Sequence, residues 1–216
     1  MKEKKQYKAL IFDLDGTLID SLPYHFLAFK ELLLERNVRI HDQVLKKLMG
    51  MPTNSILKEL KKHYRFRDNI EDLREERRFH YFKFLGTKNV VFPGVMKTLK
   101  ELRLNYKIAI ATGSSYVMYT HSTNKDFQSL FDFVSTINDV KQGKPNPDQF
   151  LLASRKLRVK PKDCVIIGDS TYDAEAAKKA GMDFIGATTG YNKNHTLLLH
   201  GALKTVHSIS ELKKIL

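Results

Sequence analysis

The stretch "FDLDGTLID", residues 12–20, decides the fold and raises the chemical question. It continues the apolar run "ALIF", residues 9–12, and an apolar run that leads to Gly16 predicts a buried strand ending in a turn. Alternation along a strand puts Asp13 and Asp15 on the same side while the chain stays extended. Carboxylates that close repel each other, so one takes up a proton unless a cation lies between them. The stretch therefore predicts a divalent metal, a reactive carboxylate pair, or both.

The composition is that of a globular protein, with 216 residues of which 42% are hydrophobic. This length suffices for one large domain or for a core with an insertion. No apolar stretch approaches the roughly 20 residues that a membrane span needs, and the charged start "MKEKKQYK" predicts no signal peptide. The single cysteine, Cys164, lies in an apolar run and cannot form an internal disulfide. These features predict a cytoplasmic protein with a buried, unreactive thiol.

The net charge of +13 comes from 37 basic and 24 acidic residues. A basic excess can indicate nucleic-acid binding, but its distribution here argues against that function. Residues 56–83 hold nine Lys or Arg against six Asp or Glu, and the densest basic stretch, residues 155–162, contains no aromatic residue. We expect no nucleic-acid and no membrane partner. The expected partner is a small phosphorylated metabolite, and the expected state is a monomer or a weak homodimer.

Short apolar runs alternate with helical patterns over much of the chain. Ala174, Ala177 and Ala180, for example, recur at helical spacing. Strands that alternate with helices predict an α/β fold with a parallel sheet covered on both faces. The predicted strands are residues 8–12, 107–111, 133–136, 164–167 and 184–187.

One long segment interrupts this alternation. Between hinges expected near Asp20 and Phe92, four helical patterns rich in Lys, Arg, Glu and Leu follow one another, with no strand pattern. About 70 residues is too long for an ordinary crossover between two strands. We therefore expect two domains, an α/β core of residues 1–20 and 93–216 and an inserted helical domain of residues 21–92.

Polar side chains cluster after the predicted strands, at the edge of the sheet where ligands bind in α/β folds. A carboxylate there can attack a phosphoryl group while a second one moves protons. A third can bind a cation, and hydroxyls, backbone N–H groups and an ammonium group can hold phosphate oxygens. The set therefore predicts phosphoryl-transfer chemistry. Its members are Asp13, Asp15, Thr112, Gly113, Ser114, Ser115, Lys144, Asp169, Ser170 and Asp173.

Four motifs resemble, in order and spacing, those of the haloacid dehalogenase-like hydrolases: "DLDGTLID" from residue 13, "ATGSS" from 111, "GKPNPD" from 143 and "GDSTYDAEAAKKAGM" from 168. The resemblance covers nearly the whole chain and implies a Rossmann-like three-layer core with a parallel sheet. The insertion after the first motif resembles the all-helical cap of the subfamily that includes phosphoglycolate phosphatase and β-phosphoglucomutase. The implied activity is that of a phosphoric monoester hydrolase that forms an aspartyl-phosphate intermediate, with Mg²⁺ as cofactor.

The resemblance also implies a role for each motif residue. Asp13 is the nucleophile, and Asp15 protonates the leaving oxygen and then activates the hydrolytic water. Thr112, Gly113 and Lys144 bind the phosphate, and Lys144 also steadies the charge on Asp13. Outside the resemblance, Thr112 can be explained as a helix N-cap and Lys144 as a surface lysine.

The implied Mg²⁺ ligands are the Asp13 carboxylate, the Asp15 backbone carbonyl and Asp169. Asp173 is implied behind them, where it orients the site or binds the metal through water. Asp173 also stands three residues after Ser170, the spacing of a capping box, and both interpretations can hold together.

A sugar phosphomutase like β-phosphoglucomutase is the main alternative to a phosphatase. The segment "DSLPYHF", residues 20–26, resembles the hinge of that mutase. A mutase must hold a second phosphate with fixed positive charge, but the corresponding loop, residues 48–55, offers Met49, Met51 and Thr53. The fourth motif reads Gly168-Asp169, as in phosphatases, where the mutase has two adjacent acids.

A non-catalytic binding protein with the same fold is a further alternative. The presence of Asp13, Asp15 and Lys144 argues against it, because loss of any of them would mark an inactive descendant. The sequence therefore favours a phosphatase. It leaves the substrate open among phosphoglycolate, sugar phosphates and nucleotides, because the cap residues that would select it are not identifiable.

Overall fold

The computed structural model describes residues 5–49 and 51–216. The chain divides into two compact units. The core unit comprises Met1–Asp20 and Val90–Leu216, and the helical unit comprises Ser21–Asn89.

The core unit is built on one six-stranded sheet in which all neighbouring strands run parallel. The strands are β1 (Ala9–Phe12), β2 (Lys107–Ala111), β3 (Phe133–Ser135), β4 (Cys164–Gly168), β5 (Asp183–Ala187) and β6 (Lys204–Val206). Their order across the sheet is β3-β2-β1-β4-β5-β6, so β1 lies between β2 and β4. The prediction of a parallel α/β sheet is confirmed.

Strand β6 has no counterpart among the predicted strands. It has only three residues, of which Lys204 is exposed and Val206 is buried, and it pairs on one side only, with β5. So short a strand shows too little alternation to be distinguished from a loop by its sequence. The other five strands lie within one residue of their predicted bounds.

The α-helices, in chain order, are α1 (Leu22–Leu34), α2 (Asp42–Leu48), α3 (Thr53–Tyr64), α4 (Ile70–Leu85), α5 (Val95–Leu102), α6 (Tyr116–Ser122), α7 (Lys125–Gln128), α8 (Asp148–Leu157), α9 (Thr171–Ala180), α10 (Asn194–Leu199) and α11 (Leu212–Ile215). No helix in the described part of the chain is both long and apolar enough to cross a membrane.

Helices α8 and α9 pack against one face of the sheet through a shared buried cluster. Ala9 and Ile11 alternate onto one face of β1 and share a buried cluster with Phe150 of α8 and Ala177 of α9. All four residues of β1 are fully buried. Burial on both faces is typical of a central parallel strand, and it fixes the position from which the loop after β1 leaves the sheet.

Cys164, the first residue of β4, is a free and buried cysteine. Its thiol donates a hydrogen bond to the Lys160 carbonyl, at 3.4 Å. Burial raises the pKa of the thiol to about 11, so it stays protonated and unreactive at neutral pH, as the sequence predicts.

The core unit includes residues 90–92 because they pair with residues 18–20. The pairing consists of the Asp20 N–H to the Val90 carbonyl (2.7 Å), the Phe92 N–H to the Leu18 carbonyl (3.1 Å) and an antiparallel bridge between Ile19 and Val91. The division between the units therefore falls at Asn89, three residues before the boundary expected from the sequence.

All regular secondary structure in residues 21–49 and 51–89 is helical. Helices α1 and α4 form its most extensive packing. Phe29 and Leu32 of α1 are buried, as are Leu73 and Tyr81 of α4.

Arg36 joins three segments of the helical unit. Its guanidinium donates to both carboxylate oxygens of Glu76, at 2.7 Å each, to Asp68 at 2.8 Å and to the Leu32 carbonyl at 2.9 Å. The hydrogen bond to Glu76 raises the pKa of Arg36 above its already high ordinary value. Because the Arg36 side chain is only 15% exposed, water screens this ion pair less than it screens a surface pair.

We expect Arg36→Met to lower the free energy of unfolding by about 2 kcal/mol, because it leaves two carboxylates without their cation. Urea denaturation followed by circular dichroism measures the change. Arg74→Met is the matched control, since Arg74 pairs with Glu71 one helical turn away at an exposed position. That control should cost less than about 0.5 kcal/mol, and equal losses in the two variants would contradict a special role for Arg36.

Candidate active site

The candidate site lies at the carboxyl ends of the three central strands. Asp13 follows β1, Thr112 follows β2 and Asp169 follows β4. Because β1 lies between β2 and β4, the residues that follow these strands are neighbours in space. Lys144 and Asp173 reach the same edge from the loop before α8 and from the first turn of α9.

Asp13 is held by the sheet itself. Its backbone N–H donates to the Ile167 carbonyl at 2.8 Å, which extends the pairing of β1 with β4 by one residue. Its carboxylate is buried and accepts a hydrogen bond from Lys144 Nζ, at 2.5 Å from Oδ1. The backbone of Asp13 is therefore as fixed as the strand that precedes it.

Lys144 forms ion pairs with two buried carboxylates. Its Nζ lies 2.5 Å from Asp13 Oδ1 and 2.7 Å from Asp173 Oδ1, and its side chain is 9% exposed. Burial alone would lower the pKa of this ammonium, but the two carboxylates outweigh burial and raise the pKa above its ordinary value. Lys144 is therefore a buried permanent cation, and the alternative of a surface lysine is wrong.

Asp173 serves two contacts at once. Its Oδ2 accepts from the Ser170 N–H (3.1 Å) and hydroxyl (2.5 Å), while the Asp173 N–H donates to Ser170 Oγ, which completes a capping box for α9. Its Oδ1 contacts Lys144. The capping box is therefore present and uses one carboxylate oxygen, while the other contacts Lys144. The implied place of Asp173 behind the metal stays a prediction.

Asp169 lies against a backbone segment that the sequence did not single out. A Cβ on Gly190 would stand 1.7 Å from Asp169 Oδ2, so only glycine fits there. The neighbouring Thr189 donates through Oγ1 to the Gly16 carbonyl, at 2.6 Å. Both residues lie in the segment after β5, which ends at Ala187, and no local sequence pattern marks Gly190 as a neighbour of Asp169.

Thr17 also contacts Asp169. Its hydroxyl donates to Asp169 Oδ1 at 3.3 Å, and the residue is fully buried. Gly16 before it has a φ of +80°, a conformation that glycine adopts at no steric cost. The turn after Asp15 thus brings the chain back toward the end of β4.

Asp15 has surroundings different from those of Asp13. Its Oδ2 accepts from the hydroxyl of Ser114 at 2.7 Å and from that of Thr112 at 3.3 Å, and the residue is only partly buried. Ser114 belongs to the hydroxyls that the sequence predicted for phosphate oxygens, but here its hydroxyl donates to Asp15. Asp13 therefore has a cation as its neighbour, whereas Asp15 has two hydroxyls.

Thr112 is fixed by backbone contacts on both sides. Its N–H donates to the Ser135 carbonyl at 2.9 Å, and its carbonyl accepts from Gln149 Nε2 at 2.5 Å. Its side-chain oxygen accepts from the Ser114 N–H at 3.0 Å. A Cβ on Gly113 would meet no heavy atom within 4 Å, so the space beside this backbone is open.

Three buried carboxylates converge in the site. Oxygens of Asp13, Asp169 and Asp173 lie within 4.8 Å of one another. Burial, together with the negative charges of Asp173 and Asp15, raises the pKa of Asp13 to about 7 although Lys144 opposes the shift. Burial and the charge of Asp13 also raise the pKa of Asp169 well above its ordinary value.

These carboxylates fit a divalent metal site. Burial is the main cause of the raised pKa values, and the three carboxylates outnumber the one ammonium of Lys144 that contacts them. Carboxylate oxygens are the ligands that hard divalent cations take. Asp13 and Asp169 are the predicted metal ligands that the structure brings together with Asp173. The Asp15 carboxylate is not among the three, and the implied use of its backbone carbonyl stays a prediction.

The amino-acid sequence of the chain is similar to those of a named phosphatase and a named mutase. The chain is 29% identical over 218 residues to a phosphorylated carbohydrates phosphatase of Thermotoga maritima, with 97% of this chain and all of the relative covered. It is also 29% identical to the β-phosphoglucomutase of Bacillus subtilis, with 85% of this chain and 84% of the mutase covered.

The fold is shared with solved structures as well. A crystal structure of a hydrolase from Pseudomonas syringae superposes with a TM-score of 0.83 at 28% sequence identity, and 96% of each chain is covered. The family model for haloacid dehalogenase-like hydrolases matches residues 10–187, which include every site residue that the sequence predicts. The chain therefore belongs to the haloacid dehalogenase-like hydrolase family.

Proposed function

We propose that this protein is a phosphatase that hydrolyses a small phosphate monoester through an aspartyl-phosphate on Asp13. The observation that carries the proposal is the contrast between the two carboxylates of one strand end. Asp13 contacts the ammonium of Lys144, at 2.5 Å, and Asp15 contacts the hydroxyl of Ser114, at 2.7 Å. A nucleophilic carboxylate must be ionised, and the ammonium of Lys144 favours that form of Asp13. A general acid and base must exchange a proton, and the hydroxyls beside Asp15 can donate to its anion or accept from its acid form.

In the first half-reaction, a carboxylate oxygen of Asp13 forms a bond to phosphorus, and the bond from phosphorus to the ester oxygen breaks. Asp15 donates its proton to that oxygen, so the product leaves as a neutral alcohol. Lys144, the Thr112 hydroxyl and the Gly113 backbone hold the phosphate oxygens, and the open space beside Gly113 supports this role.

In the second half-reaction, Asp15 is ionised and takes a proton from a water molecule. The water oxygen forms a bond to phosphorus, and the bond between phosphorus and the Asp13 oxygen breaks. Inorganic phosphate leaves, and Asp15 is again protonated for the next cycle. The partly exposed position of Asp15 supports this role, because the water must reach it.

The cofactor in this proposal is Mg²⁺, held by the carboxylates of Asp13 and Asp169 and by the Asp15 backbone carbonyl. When bound, it supplies positive charge that offsets the negative charge of the phosphate and of the buried carboxylates. Asp173 then orients Lys144 and the α9 end of the site without needing to bind the metal directly.

We propose a phosphorylated carbohydrate as the substrate class, which the relative from Thermotoga maritima supports. The helical unit contains none of the residues assigned to the reaction, and we propose that it acts as the cap that selects the leaving group. A cytoplasmic location and a monomeric or weakly dimeric state complete the proposal. The free thiol of Cys164 fits a reducing compartment.

A phosphomutase is the second candidate, because the β-phosphoglucomutase of Bacillus subtilis is also 29% identical, over 85% of this chain. The predicted phosphate-selecting loop, residues 48–55, argues against it. Gly50 of this loop lies outside the described residues, Leu48 ends α2, and Thr53 already begins α3. Met49 is buried and Met51 is partly buried, and neither offers charge to a second phosphate.

The assignment of Asp13 and Asp15 is tested by substitution. Asp13→Asn should lower kcat for an aryl phosphate at least about 1,000-fold, because the amide is a poor nucleophile. Asp15→Asn should lower kcat by about 100- to 10,000-fold, since it removes the proton donor. Asp126→Asn, an exposed aspartate of the same unit, is the control and should keep full activity. More than a tenth of the activity in Asp13→Asn would exclude the proposed nucleophile.

The metal site has a readout that does not depend on activity. Mg²⁺ at 100 times its dissociation constant should stabilise the protein by about 2.7 kcal/mol, measured as a rise in Tm, because the folded carboxylate cluster binds it and the unfolded chain does not. Asp169→Asn should lose most of this rise. Glu35→Gln should keep it, although Glu35 belongs to a second cluster with Glu76 and His80. EDTA should abolish phosphatase activity. Loss of the Mg²⁺-dependent rise in Tm in Glu35→Gln but not in Asp169→Asn would refute the assignment.

Phosphorus NMR separates hydrolysis from phosphate migration. With β-glucose 1-phosphate, we expect inorganic phosphate to accumulate with no glucose 6-phosphate, because the residue 48–55 loop lacks the charge that retains a bisphosphate. Addition of a glucose bisphosphate should not accelerate the reaction. Faster formation of glucose 6-phosphate than of inorganic phosphate would establish the mutase instead.

A further inference from the structure

A second, strongly basic site lies on the core unit, away from the carboxylate cluster. A surface cavity of about 410 Å³ is lined by Lys8, Arg158, Val159, Lys160, Lys162 and Asp163. Lys8 directly precedes β1, whereas Asp13 directly follows it. The cavity is therefore at the amino end of β1 and the candidate active site at its carboxyl end, roughly 16 Å apart along the extended chain.

The cavity concentrates positive charge that the protein does not neutralise. Of the six described residues that line it, four are cations and Asp163 is the one carboxylate. Lys8 Nζ lies 3.7 Å from Asp163 Oδ2. Across residues 5–49 and 51–216, no ion pair joins Arg158, Lys160 or Lys162 to a carboxylate.

The backbone that carries these cations is fixed by hydrogen bonds. The Lys8 N–H donates to the Asp163 carbonyl at 2.8 Å, and the Asp163 N–H donates to the Lys160 carbonyl at 2.9 Å. The Arg158 N–H donates to the Arg155 carbonyl at 3.0 Å. The cations thus extend from set positions around the cavity, and a ligand need not order the loop.

Stabilisation of a helix end explains only part of this charge. Cations in the last turn of a helix interact favourably with its dipole, which accounts for Arg155 and Lys156 at the end of α8. Lys160 and Lys162 lie beyond that turn, and Lys8 belongs to a different segment. The dipole of α8 therefore does not account for these three lysines at the cavity.

We propose that this cavity binds a condensed phosphate chain, either as a free inorganic oligophosphate or as the phosphate tail of a nucleotide. Four cations against one carboxylate match an anion that carries three or more negative charges, and phosphate oxygens take several charge-assisted hydrogen bonds from Arg and Lys. The cavity volume lies in the lower range of small-molecule sites. Within residues 5–49 and 51–216, no aromatic side chain lines the cavity for a base to stack on. The phosphates are therefore the recognised part, and a single-stranded nucleic acid is disfavoured. The site goes beyond the proposed hydrolysis at Asp13 and does not depend on it.

Tripolyphosphate is the probe, added to the full chain in EDTA so that metal-dependent binding at the carboxylates does not contribute. We expect the amide resonances of Lys8 and of residues 158–163 to shift in ¹H–¹⁵N spectra and to saturate. ATP should bind no more than about threefold more tightly than tripolyphosphate by calorimetry, because its base has no stacking partner. Much tighter binding of ATP would overturn recognition by the phosphate chain alone.

The double variant Arg158→Gln/Lys160→Gln should weaken tripolyphosphate binding at least about tenfold, since it removes two charge-assisted contacts. Arg67→Gln/Lys58→Gln is the matched control, because it removes the same two charge types at exposed positions of the helical unit. Equal weakening in both variants would show attraction by net charge and overturn the proposal. Saturable shifts of amide resonances confined to the surroundings of Asp13 and Lys144 would also overturn the proposal. These spectra are recorded on the unaltered chain, so they test the proposal even if the double variant fails to fold.

Discussion

The buried ammonium of Lys144 is the charge on which the carboxyl edge of the sheet depends. It contacts Asp13 and Asp173 at once, and oxygens of those two carboxylates and of Asp169 lie within 4.8 Å of one another. A buried carboxylate that loses its cation must take up a proton or leave the interior. Lys144 therefore holds both the Asp13 side chain and the carboxylate whose other oxygen caps α9.

The same edge depends on two glycines that give the carboxylates room. A Cβ on Gly168 would stand 2.6 Å from Asp173 Cγ, and one on Gly190 would stand 1.7 Å from Asp169 Oδ2. Charge alone therefore does not define the site. The backbone must come closer to the carboxylates than any other residue type permits, and the parallel sheet supplies that proximity because its strand ends converge at one edge.

Local and distant features of the sequence differ in how well they could be predicted. The buried run before Asp13 and the motif around Asp169 are local signals, and they were enough to predict five strands and the candidate residues. The contact of Ser114 with Asp15 and the approach of Gly190 to Asp169 were not predictable, because each joins residues far apart in sequence through exact distances between loops. Strand β6 was missed for the opposite reason, since its three residues carry too little pattern of their own.

The position of β1 has a consequence for how the chain is made. This strand is at the centre of the sheet, yet its two partners, β2 and β4, come after the whole helical unit in the sequence. A growing chain on the ribosome can therefore complete α1–α4 while the apolar segment "ALIF" still lacks any strand to pair with. An unpaired apolar segment favours aggregation, and the charged stretch "MKEKKQYK" that precedes it opposes such association until Lys107–Ala111 is available for pairing.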